Sequence, residues 1–159
     1  MIPRIVSLNE KKLVGKRLTM TFAKNNTFKL WQSFMPKRNE INNTLNNDLF
    51  SIQIYPDTFN FENFDINIEF EKWAAVEVVT FDSIPYEFEA LILKGGQYAV
   101  FDYKGLSSDT KMFEYIFGVW LPKSEFSLDN RPHFEILGEK YKNNDINSEE
   151  QIWIPIKKK

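Results

Sequence analysis

The stretch Ile116-Phe-Gly-Val-Trp-Leu-Pro122 decides the reading of this chain, because Leu30-Trp-Gln-Ser-Phe-Met-Pro36 repeats its pattern 86 residues earlier. Phe113, Ile116, Phe117, Trp120 and Leu121 fall at i, i+3, i+4, i+7 and i+8, the spacing of one apolar helix face. Ser107, Ser108 and Asp109 can cap that helix and favour its dipole, and Pro122 is expected to stop it. In the earlier copy Leu30, Trp31, Phe34 and Met35 form the buried face, Asn25 and Asn26 the cap, and Pro36 the stop. One shift places Leu30 on Ile116, Trp31 on Phe117, Phe34 on Trp120, Met35 on Leu121, and Val14 on Val100 in the preceding strand.

Strands flank each helix. Leu18, Met20 and Phe22 alternate with Thr19 and Thr21 within residues 12–22, and Phe50, Ile52 and Ile54 alternate with Ser51 and Gln53. Residues 39–48 read as a loop and residues 56–65 as an acidic, uneven connection, before a Val- and Ala-rich strand over residues 73–80. Residues 88–93 and 97–103 read as two strands joined by a Gly95-Gly96 turn. Residues 133–137 and 151–156 complete the set, the last alternating Ile152, Ile154 and Ile156. These elements predict an α+β fold in one domain, residues 1–159, with halves at about 1–82 and 83–159. Each half is a βαββ unit. Joined edge to edge, and with further strands such as residues 88–93, two such units are expected to make a curved antiparallel sheet of about eight strands, with two helices and a central cleft suited to a ligand.

Composition narrows the function. Aromatic residues make up 16% of the chain, a surplus that fits a ligand cavity and a Phe-rich core about equally. The net charge is −2, and the only basic run is Lys157-Lys158-Lys159, so the chain by itself is not expected to bind nucleic acid. There is no cysteine, which excludes disulfides, thiol nucleophiles and zinc–thiolate sites and suits a cytoplasmic location. No signal-peptide pattern opens the chain, and no apolar run reaches membrane-spanning length. His133 is the only histidine, without the partners a metal or a catalytic triad needs, so no metal or other cofactor is expected.

Four segments carry a family likeness. Gly95-Gly-Gln-Tyr-Ala-Val-Phe-Asp-Tyr-Lys-Gly105, Trp120-Leu-Pro-Lys-Ser124, Arg131-Pro-His-Phe-Glu135 and Ile152-Trp-Ile-Pro-Ile-Lys157 together resemble the second half of GyrI-like domains. Trp31-Gln-Ser-Phe-Met-Pro36 and Ser51-Ile-Gln-Ile-Tyr55 resemble the first half more loosely. The resemblance implies two βαββ units around a pocket. In multidrug-responsive transcription regulators that pocket takes aromatic cations, and there the domain follows a DNA-binding module. This chain is too short to hold a helix-turn-helix beside the duplicated domain, so a stand-alone form is expected.

Glu135 is the first candidate for the site. It shares a strand face with His133 and Leu137, away from Phe134 and Ile136. A carboxylate among aromatics is costly to bury unless a cation or hydrogen bonds compensate it. From the residues alone a solvated Glu or a salt bridge is the simpler reading. The resemblance assigns Glu135 to the family's pocket glutamate. Glu77, beside Trp73 and the small Ala75, is a second carboxylate, with a sheet-edge ion pair as its equal alternative. Trp73, Tyr98 and Trp120, with Tyr55 and Phe101 behind them, are the candidate aromatic walls.

These residues predict a binding module for hydrophobic, cationic aromatic small molecules, acting without catalysis. A hydrolase of strained cyclopropanone-type compounds, with Glu135 as general base and Tyr98 assisting, is the enzymatic alternative that the resemblance supplies. A gyrase-inhibitor-type interaction module is the third, and a homodimer stays open.

Overall fold

Nine strands form one antiparallel sheet in the computed structural model, which describes residues 1–159. They are β1 (Arg4–Leu8), β2 (Lys11–Met20), β3 (Leu49–Ile54), β4 (Phe70–Glu77), β5 (Glu89–Leu93), β6 (Gly96–Lys104), β7 (Phe126–Leu128), β8 (His133–Leu137) and β9 (Glu149–Lys158). The order is β1-β6-β9-β8-β3-β4-β2-β5, with β7 added on β9. Helix α1 (Thr27–Phe34) continues into a 3-10 segment (Met35–Glu40). Helix α2 joins Lys111–Tyr115, a π-helical stretch (Ile116–Trp120) and a final turn (Leu121–Lys123).

The sheet order itself reports the duplication. Exchanging β1 with β5, β2 with β6, β3 with β8 and β4 with β9 turns the order into its own reverse. The pseudo-twofold axis therefore passes between the central strands β3 and β8. Leu30 and Ile116 are equivalent in fact as in pattern, each buried under its helix. Val14 and Val100 are not. Val14 packs under α1 while Val100 points into the opposite core, so these strands are offset by one residue from the helices.

The sheet gains β1 and β7, which the sequence reading did not include, and each half lends one strand, β1 or β5, to the other. β5 pairs with β2, and β1 pairs with β6. Gly95-Gly96 is accordingly not a hairpin turn: the strands it links stand near opposite ends of the sheet order, and the sheet curls until those ends meet. At the meeting point the two interstrand links cross. A Cβ on Gly95 would lie 2.5 Å from the Leu8 carbonyl oxygen, so the crossing needs glycine. Gly96 adopts φ +144°, which only glycine takes without strain. Gly95→Ala should therefore cost about 1–3 kcal/mol in urea unfolding, through forced backbone displacement. Gly118→Ala, with nothing within 4 Å of the added carbon, should not destabilise. Equal losses in both variants would remove the crossing argument.

The prolines also act differently from expectation. Pro36 sits in the first turn of the 3-10 segment and Pro122 in the last turn of α2, so each lies inside its helical run. Proline is tolerated there because the missing N–H falls where the hydrogen-bond pattern changes. The N-cap of α1 is Asn26, as the sequence implied, and that of α2 is Thr110, one residue beyond Asp109; neither caps with its own side chain, and the residue before each makes the bond instead. Asn25 Oδ1 accepts the Thr27 N–H at 2.9 Å and Asp109 Oδ1 the Lys111 N–H at 2.9 Å.

Strand alternation divides the interior into layers. The face enclosed by the curl carries Leu13, Phe50, Ile52, Trp73, Ala75, Leu93, Tyr98, Val100, Phe134 and Trp153. On the other face α1 covers Val14, Ala74 and Val76, and α2 covers Ala99, Phe101, Ile152 and Ile154. The helices sit over β2–β4 and β6–β9, which leaves β3 and β8 open between them.

Candidate functional site

The floor of this opening is polar. Residues on the helix side of the central strands are Gln53 on β3 and His133 and Glu135 on β8, with Lys72 on β4 and Glu150 on β9 beside them. Register explains their proximity: Gln53 pairs with Lys72 on one side and with His133 on the other, and Glu135 pairs with Ser51 and Ile152. Two carboxylates thus face one lysine.

Aromatic rings wall the opening. The connection over residues 55–69 brings Tyr55, Phe59 and Phe61 across it. Phe61 stacks on Phe117 of α2, with centroids 4.0 Å apart and planes at 6°. Tyr55 stacks on Phe59 at 4.4 Å, and His133 meets Tyr55 edge-on at 5.0 Å. Rings continue through Phe22 to Phe70, so an aromatic chain links α2 to the end of β2. A groove of about 540 Å³ opens along its α2 side, lined by Tyr55, Phe61, Phe117, Leu121, Arg131 and His133. That is ample for a drug-sized ligand. Glu135 does not line the groove; it lies on the same strand face as His133, two residues further along β8.

Burial controls the charges. Desolvation raises the Glu135 pKa, while the Lys72 charge and the Gln53 side chain pull it back down. Glu150 is pushed up to about 7 by burial and then by repulsion from Glu135, against the pull of Lys72. Lys72 is lowered by burial, and both carboxylates oppose that shift. His133 is lowered to about 3 by burial and by Arg131, so its ring is neutral at pH 7. The Tyr55 hydroxyl is raised by burial and by Glu135 and stays protonated.

Only part of the expected site assembles here. Glu135 and Tyr55 come together, and Glu135 is partly buried within electrostatic reach of Tyr55. Trp73, Glu77 and Tyr98 lie on the opposite sheet face, separated from Glu135 by the sheet itself. Trp73 packs in the enclosed core and donates its Nε1–H to Glu71 at 2.5 Å. Glu77 pairs with Lys11 at 3.3 Å, the ion-pair alternative of the sequence. Tyr98 is fully buried beneath Arg131, donating its hydroxyl to the Pro132 carbonyl at 3.1 Å, so it cannot assist Glu135. Trp120 packs edge-on against Phe101 under α2, as core. Lys72, Glu150, Phe61 and Phe117 are the residues that the sequence reading missed. Lys72 continues the Ala74–Val76 alternation, and Glu150 continues that of Ile152, Ile154 and Ile156. A charge in phase with an apolar face was the available signal.

The match to known proteins covers nearly all of this architecture. Residues 1–157 match the GyrI-like small molecule binding domain. The chain belongs to the GyrI-like family. No match was found among curated proteins. Several solved structures share the fold. SAV2435 bound to tetraphenylphosphonium is 19% identical, with a TM-score of 0.69, covering 99% of this chain and 94% of that one. The C-terminal domain of EcmrR is 15% identical, with a TM-score of 0.67 and coverages of 98% and 97%. A hydrolase from Listeria innocua is 12% identical, with a TM-score of 0.59 and coverages of 98% and 92%. Identities this low establish the shared fold. In this GyrI-like domain no helix is long and apolar enough to cross a membrane.

Proposed function

We propose that this GyrI-like domain binds hydrophobic organic cations in the opening between its helices, over Glu135 and Glu150 and against Tyr55, Phe61 and Phe117. The observation that carries the reading is the charge balance of the floor, two carboxylates against one lysine beneath aromatic rings. Ionising both carboxylates leaves an excess negative charge where water is scarce, and a bound cation relieves it. Flat rings add dispersion and cation–π attraction. The binding of tetraphenylphosphonium by SAV2435, a protein of the same fold, is consistent with this ligand class.

The test is Glu135→Gln, which keeps shape and removes charge. Affinity for tetraphenylphosphonium should fall by about 1–3 kcal/mol, roughly tenfold or more, in calorimetric titration. Affinity for uncharged triphenylphosphine oxide should barely change. Binding of the cation should also weaken as pH falls through about 7, where Glu150 takes up its proton. Equal losses for the charged and uncharged ligands would dismiss the electrostatic reading. Hydrolysis of a strained carbonyl compound is the second reading. It is favoured by the burial of Glu150 beside Glu135, which pushes its pKa up to about 7, where a general base works best. Turnover by the parent that drops about 10²-fold or more in Glu150→Gln, with affinity kept, would establish it.

A further inference from the structure

Lys72 is placed as few lysines are. Long charged side chains normally keep the ammonium in water, yet Lys72 is only 7% exposed. Lys11, Lys16 and Lys37 each hydrogen-bond to a side chain on another segment, whereas the Lys72 nitrogen has no hydrogen bond or ion pair. Nor is it sealed in, since the only fully enclosed side-chain polar atom lacking a partner is Nη1 of Arg131. The Lys72 nitrogen, on the helix side of β4, is therefore unpartnered and still touched by solvent, while Lys72, like Glu135 and Glu150, stands beside the groove and does not line it. The groups facing it are Glu135 from β8, Glu150 from β9 and Gln53 from β3. Tyr55, at the end of β3, is close enough to Glu135 to feel its charge.

We propose that this opening captures hydrophobic aldehydes covalently, as an imine on Nζ of Lys72. The proposal rests on the reading that the opening is the ligand site, and it adds a chemistry to that site. A desolvated lysine spends more of its time as the free amine than a surface lysine does, and the free amine is the nucleophile. The nitrogen adds to the carbonyl carbon, and the carbonyl oxygen becomes the hydroxyl of a carbinolamine. The C–O bond then breaks as a protonated carboxyl, Glu150 or Glu135, gives its proton to the departing oxygen. Water leaves, and the nitrogen keeps its remaining proton as an iminium. Atoms and charge balance without an oxidant or a reductant. The product is a cation held over two carboxylates, which the floor is built to stabilise, and the aldehyde's ring lies against Tyr55 and Phe61.

The experiment incubates the full chain with cinnamaldehyde, reduces with borohydride, and reads the adduct by intact mass and peptide mapping. One adduct at Lys72 is expected at low aldehyde, labelled at least tenfold faster than any surface lysine and suppressed by excess tetraphenylphosphonium. Lys72→Arg, shown by its thermal transition to be folded, should lose that adduct. Labelling spread evenly over the lysines of the parent overturns the proposal, whatever the fate of the variant. The two readings fail separately. Tetraphenylphosphonium binding without a Lys72 adduct removes only the imine, and a Lys72 adduct without cation binding removes only the cation.

Discussion

Glu150→Gln should raise the stability of the protein by about 3 kcal/mol at pH 8 and leave it almost unchanged at pH 4. The folded chain holds the Glu150 carboxyl at about 7, against an ordinary value of 4.5. Between these two values the folded state binds a proton that the unfolded state has released. Stability therefore falls as pH rises through this window, and the full cost is present above about 7. Below 4.5 both states are protonated and the cost vanishes. Glutamine keeps the shape of the protonated acid and removes the titration. Urea unfolding at the two pH values checks the difference, which is more secure than either absolute number. An equal change at both pH values would mean that packing, and not ionisation, is what the substitution alters. The same variant should weaken binding of an organic cation above pH 7. The protein retains a destabilising carboxylate where the proposed ligand needs one.

His133→Phe should make the protein resist acid by a comparable amount. The His133 ring is buried at 6% exposure among Tyr55, Phe61 and Phe117, and its pKa falls from 6.5 to about 3. As pH drops below 6.5 the unfolded chain gains a proton at this position and the folded chain does not. The penalty grows by about 1.4 kcal/mol per pH unit and levels off near 3. At pH 4 it amounts to about 3 kcal/mol. Phenylalanine preserves a flat ring in the aromatic wall and has nothing to protonate. The loss of stability between pH 7.5 and pH 4 should therefore be about 3 kcal/mol smaller in the variant than in the parent. Glu135 and Glu150 titrate in the opposite direction over part of this range, but they do so in both proteins and cancel in the comparison. An unchanged pH dependence would show that His133 opens to water before the chain unfolds.

Much of the candidate site was legible as phase along strands. Glu135 was placed with His133 and Leu137, and the structure keeps all three on one face of β8. Alternation says which residues travel together, but it does not say which side of the sheet will be open. Trp73, Glu77 and Tyr98 were assigned to the same cleft as Glu135 and ended on the enclosed side. The curl of the sheet turns that side inward, where large rings fill the volume. Phe61 was hidden for another reason. It sits in an irregular connection without periodicity, and only the position of Phe117 on α2 shows what it stacks on. Lys72 could have been found as a charge interrupting an apolar phase, but its partners on β3, β8 and β9 come from strand pairings far apart in the chain.

By itself the sequence determined the α+β class, the two helices, the repeat and the shared face of Glu135 and His133, because each depends on local spacing that the backbone period enforces. Tertiary structure alone decided the exchange of β1 and β5, the glycine crossing, and the sheet face left open between the helices. It also decided the pKa values, since desolvation and charge repulsion depend on neighbours brought together from distant strands. A one-residue offset between strand and helix repeats is the clearest instance: Val14 and Val100 match in sequence, yet the period of two sends them to opposite faces.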